Sequence, residues 1–83
     1  MEKQILEILK TCMALKEKGH DAFFDYSPHV DTIYIRVHIN GWGNKKHADI
    51  YMEAPSKPSN IYSAEYVQDE LELIKDRLME YLK

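Results

Sequence analysis

Thr32-Ile33-Tyr34-Ile35-Arg36-Val37-His38-Ile39-Asn40 alternates without a break, with a β-branched apolar residue at every odd position and a polar or amphipathic one at every even position. Successive side chains of a strand point to opposite faces. The stretch therefore reads as a strand with Ile33, Ile35, Val37 and Ile39 inward and Thr32, Tyr34, Arg36, His38 and Asn40 outward. On its C-terminal side Gly41-Trp42-Gly43-Asn44 reads as a hairpin loop. Lys45 to Ala54 then resumes the alternation, with Ala48, Ile50, Met52 and Ala54 set against His47, Asp49, Tyr51 and Glu53. On its N-terminal side Ser27-Pro28-His29-Val30-Asp31 supplies turn chemistry, because proline presets one dihedral and aspartate bonds its own backbone. Before that turn, His20 to Ser27 alternates as well, placing Ala22, Phe24 and part of Tyr26 inward. Three strands in a meander are expected.

Beyond the strands the period lengthens. Between Gln4 and Leu15 the apolar residues fall at positions 5, 8, 9, 12 and 15, flanked by Leu6 and Met13, which is the period of an amphipathic helix; Gly19 is its left-handed C-cap. Pro55-Ser56-Lys57-Pro58-Ser59-Asn60 carries two prolines and reads as a connector. From Ser63, an N-cap with Glu65 in the first turn, the residues Val67, Leu71, Ile74, Leu78 and Tyr81 repeat at spacings of 4, 3, 4 and 3, a second helix running to the terminus. The order is α-β-β-β-α. One apolar face per strand wants both helices on that face, so residues 1–83 are expected to form a single α+β domain, a two-layer sandwich of a three-stranded antiparallel meander and two helices.

Composition narrows the function classes. The 83 residues are 45% hydrophobic and 30% charged, enough apolar content for one core and too short a chain for two. The net charge of −3 is opposite in sign to what phosphate neutralisation requires, so direct nucleic-acid binding is disfavoured. Cys12 is the one cysteine; it lies on the apolar stripe of the first helix, reads as core, and fits a reducing cytoplasm. Apolar runs such as Met13-Ala14-Leu15 fall far short of the ~18 residues of a membrane span, and the N-terminus has no signal-peptide apolar region. There is no Gly-x-Ser-x-Gly and no phosphate-cradling glycine loop. A non-enzymatic chain without a cofactor is expected.

Strand register then decides which outward residues meet. With Gly41 to Asn44 as the loop, Tyr34 stands opposite Tyr51, Arg36 opposite Asp49 and His38 opposite His47. Taking Ser27 to Val30 as the first loop extends two rows across all three strands, Phe23–Tyr34–Tyr51 and Asp21–Arg36–Asp49. A two-residue change in loop length slides these rows diagonally without changing which residues face outward. Aromatic rings on a face that no helix covers form the kind of patch that marks a contact surface. The charged row reads as an ion-pair ladder, or as Arg36 held for an anionic group. Trp42, between two glycines, either tucks onto a helix end or stands exposed as an anchor.

The leading expectation is a cytoplasmic interaction module that binds a protein, or dimerises, through Phe23, Tyr34, Arg36, His38, Trp42 and Tyr51. A second is an acidic inhibitor of a nucleic-acid enzyme, using a ridge of Asp69, Glu72 and Asp76 on the second helix. A third is a small metal-dependent enzyme built on His38 and His47 with Asp25 or Asp49.

The α-β-β-β-α order with both helices on one sheet face is similar to that of the double-stranded-RNA-binding domain, and Ser27-Pro28-His29 resembles part of that family's Gly-Pro-x-His loop. The resemblance covers most of the chain and implies the two-layer fold. The family grips phosphates with a Lys-Lys-x-Ala-Lys cluster at the start of its last helix. Here Tyr62 to Glu70 is acidic and departs from that cluster, so an RNA grip at that helix is not expected. In size, layout and acidic balance the chain also resembles small phage-encoded accessory proteins, some of which inhibit host nucleases.

Overall fold

The computed structural model describes residues 1–43 and 47–83. Helix α1 (Glu2–Glu17) leads into strand β1 (Asp21–Ser27), followed by β2 (Thr32–His38), β3 (Ile50–Pro55) and helix α2 (Ala64–Met79), which ends in a 3-10 turn, Glu80–Leu82. The sheet is antiparallel in the order β1-β2-β3. Both helices lie on one face of it, α1 over β1 and α2 over β3, and they pack against each other. The expected α+β sandwich is the observed one.

The core follows from the alternation. Ile33, Ile35 and Val37 of β2 are fully buried between Ile8, Cys12 and Leu15 of α1 and Val67, Leu71, Ile74 and Leu78 of α2, with Ile50 and Ala54 closing the β3 side. Each fully buried Ile, Leu or Val among them contributes about 1.5–3 kcal/mol on burial. Burial also pushes the Cys12 thiol up to about 11, as befits a core position. Leu9 departs from expectation: it is exposed with Leu6 and Met13 on the outer flank of α1, because the buried stripe is narrower than the apolar one.

Caps fix the element ends. Gly19 sits at φ 86, its N–H donating to Lys16 O and the His20 N–H to Leu15 O, both at 3.0 Å, a complete Schellman motif. Ser63 Oγ accepts from the Tyr66 N–H at 3.1 Å and starts α2 where the sequence places it.

Both loops displace the register by two residues from the expected one. The first loop spans 28–31: Asp31 takes a left-handed conformation, φ 48, and pairing begins at Ser27 opposite Thr32. After His38 the chain leaves the sheet. Side chains take up three backbone N–H groups of the segment that follows: Ile39 donates to Asp49 Oδ2 at 2.7 Å, Asn40 to His20 Nδ1 at 2.9 Å, and Trp42 to Asp21 Oδ2 at 2.8 Å. Asn40 and Gly41 turn through positive φ, and β3 begins only at Ile50. Of the expected strand start, Lys45 and Lys46 lie outside the described residues, as does Asn44 of the expected loop. Among the described residues, no helix is long and apolar enough to cross a membrane.

Candidate interaction surface

The sheet face opposite the helices carries Phe23 and Asp25 from β1, Tyr34, Arg36 and His38 from β2, and Tyr51 and Glu53 from β3. The rows are Phe23–Arg36–Tyr51 and Asp25–Tyr34–Glu53, with His38 opposite Asp21. Of the expected outward residues, Asn40, His47 and Asp49 lie off the strands, since β2 ends at His38 and β3 begins at Ile50, and the two expected rows are not formed. Arg36 stands over the Phe23 ring, 4.9 Å from its centroid, and pairs with Asp25 at 3.7 Å. The ladder Asp21–Arg36–Asp49 is not formed, because the register shift leaves Asp21 and Asp49 to hold loop amides.

Of the two expectations for Trp42, the helix-end tuck is not seen and the exposed position is. Trp42 folds back over the open sheet face instead of a helix end, 6.2 Å from Phe23 and 6.3 Å from His38 between ring centroids, while Phe23 and His38 meet edge to face at 5.7 Å. The indole remains 57% exposed, and the ring it covers is not: His38 is only 3% exposed. His38 is therefore a buried member of an aromatic cluster and not a solvated partner of His47, which is exposed and precedes β3. Its Nδ1 has no hydrogen-bond partner among the described residues, an arrangement that costs about 1–3 kcal/mol. Tyr34 and Tyr51 form a second pair, tilted at 6.3 Å, with Tyr51 56% exposed and its hydroxyl donating to Glu53 at 3.2 Å.

Electrostatics set the rim. The backbone N–H of Trp42, then the ammonium of Lys16, hold the Asp21 carboxyl below the usual carboxylate range. Asp25 and Glu53 border the rings, and Arg36 is already paired. The surface is two aromatic clusters joined by one guanidinium and edged by acids, held in place by hydrogen bonds to the loop backbone.

The other expected sites are dispersed. On α2, Asp69 and Asp76 are exposed, but Glu72 is drawn into the helix–helix seam, accepting from Gln4 Nε2 at 3.2 Å and pairing with Lys75 at 3.1 Å, which also pairs with Glu7. The Gln4 hydrogen bond first, then Lys75, holds the Glu72 carboxyl low; Glu72 and then Glu7 hold the Lys75 ammonium high. Among the described residues no group of three or more His, Cys, Asp or Glu is placed to hold a metal ion. The loop-holding roles of His20, Asp21 and Asp49 escape sequence reading, which places them on strands where their side chains would point away from backbone. Comparison with known proteins finds no relative: no protein family matches the chain, nor does any curated protein or solved structure.

Proposed function

We propose that the chain is a non-enzymatic protein-interaction module whose binding surface is the open sheet face, with Trp42 as anchor and Phe23, Tyr34, Arg36 and Tyr51 around it. The observation that carries this reading is the placement of Trp42: an indole more than half in water, seated on Phe23 and His38, its backbone N–H tied to Asp21. Tryptophan, tyrosine and arginine dominate interface energetics, and a ring fixed in advance loses little entropy on binding. The buried His38 nitrogen without a partner also supports it, since a cluster shaped for stability alone would carry an apolar ring there. A protein is favoured over RNA as partner because the cation beside the rings is already paired and acids edge the patch.

The test is affinity enrichment from the source cell's extract on the immobilised chain, beside Trp42→Ala/Tyr51→Ser and Asp69→Lys/Asp76→Lys variants that give the same circular dichroism. Proteins retained saturably by the wild type and the α2 variant but lost from the Trp42/Tyr51 variant are expected. Loss from the α2 variant alone would replace this reading by the acidic-ridge one, and retention of RNA in place of protein would overturn it.

A further inference from the structure

The open face leaves one long side of the molecule unexplained, the outer edge of β1 with the flank of α1 above it. Val37 O accepts from the Asp49 N–H and Asp31 O from the Ser56 N–H, so odd-numbered residues along β2 direct their backbone groups toward β3. Their partners on β1, Ala22, Phe24 and Tyr26, accordingly direct theirs out of the sheet, where no further strand lies among the described residues. Above this edge α1 carries Glu2, Leu6, Leu9, Met13 and Lys16 at spacings of 4, 3, 4 and 3, a seam of heptad type with an acid at one end and a base at the other. Leu6, Leu9 and Met13 are 49%, 38% and 67% exposed. Seam and edge adjoin: Leu6 and Leu9 line a groove of about 440 Å³ with Phe24 and Tyr26, and Met13 and Lys16 line one of about 240 Å³ with Ala22.

We infer that this flank pairs with the same flank of a second copy, the two β1 strands antiparallel about a two-fold axis passing by Phe24 and Leu9. The argument for a second copy, over any other occupant, is self-complementarity. Phe24 is the midpoint of β1 and Leu9 the midpoint of the seam, and the two line the same groove, so one axis serves both layers. About that axis Phe24 faces its own copy and Ala22 faces Tyr26, which pairs the outward backbone groups of all three residues on each strand. On the helices Leu9 meets Leu9, Leu6 meets Met13, and at both ends Glu2 meets Lys16, whose ammonium is already paired with Asp21 at 3.2 Å and would be shared between the two acids. Strands spaced ~4.8 Å apart and helices ~8–10 Å apart are compatible within one such pair. The other sheet edge is unsuited: its outward residues are Tyr51, Glu53 and Pro55, and Pro55 has no N–H to donate. Pairing through β1 makes one six-stranded sheet, setting Phe23 of each copy beside Asp25 of the other and joining the two open faces while leaving both uncovered.

Light scattering of the purified chain over a range of concentrations tests this. A mass rising from 9.8 kDa toward twice that value is expected. The dimer should be lost in Leu9→Lys and weakened in Glu2→Lys, and regained when Glu2→Lys is combined with Lys16→Glu; circular dichroism confirms that each variant folds. A wild type that stays monomeric overturns the inference and leaves the open-face reading standing. A dimer indifferent to Leu9→Lys and dispersed by Trp42→Ala also overturns it, and assigns self-association to the open face.

Discussion

Asp21 links the strand edge to the tip of the candidate interaction surface. Its carboxylate accepts the Trp42 N–H and pairs with Lys16, and both favour the ionised form. A carboxyl held below its unfolded value contributes stability that is fully present above about pH 3.9 and lost as pH falls through the lowered, folded value. The emission of Trp42, the chain's single tryptophan, should therefore stay constant down through the usual carboxylate range and shift only below it. In Asp21→Asn that transition should vanish. If it persists unchanged, another acid controls the indole, and the clamp assigned to Asp21 is wrong. His38, close by, makes a different point. It looks outward in the sequence because it occupies an even position of β2, and it does face outward; burial comes from Trp42 lying over it, a contact that alternation cannot encode.

At the level of elements, the strand faces and helix stripes were legible because they rest on period alone. Ile33, Ile35 and Val37 are buried as their alternation requires, and Val67, Leu71, Ile74 and Leu78 as their spacing requires. The two-residue displacement of both hairpins was not legible, since register depends on loop conformation, here the left-handed Asp31 and three side chains competing for backbone N–H groups between His38 and Ile50. Period also overstated the core of α1: its apolar residues cover more of the helix than the sheet and α2 can bury, and Leu6, Leu9 and Met13 are the surplus. The α1–β1 junction, by contrast, is decided by one residue. Nothing lies within 4 Å of a Cβ built on Gly19, so Gly19→Ala should cost only the left-handed backbone, about 1 kcal/mol, read as a lower denaturant midpoint with an unchanged slope. A loss several times larger would mean that the junction is held by contacts other than the Schellman motif.

For the molecule as a whole, the two helices spend one sheet face on the core and leave the other to the aromatic cluster, while the β1 edge and the α1 seam form a separate flank. The two proposals give each side different work: a second copy on the flank, a different protein on the open face. These assignments are separable because Trp42 lies at the far surface of the sheet from Leu9 and the seam. Acrylamide quenching of Trp42 across the concentration range in which the purified chain changes mass tests the claim that the open face stays free for a partner. The account predicts a quenching constant that does not change as the dimer forms. Progressive shielding of Trp42 with increasing chain concentration would contradict it, by showing that the aromatic face is consumed by the protein's own copy.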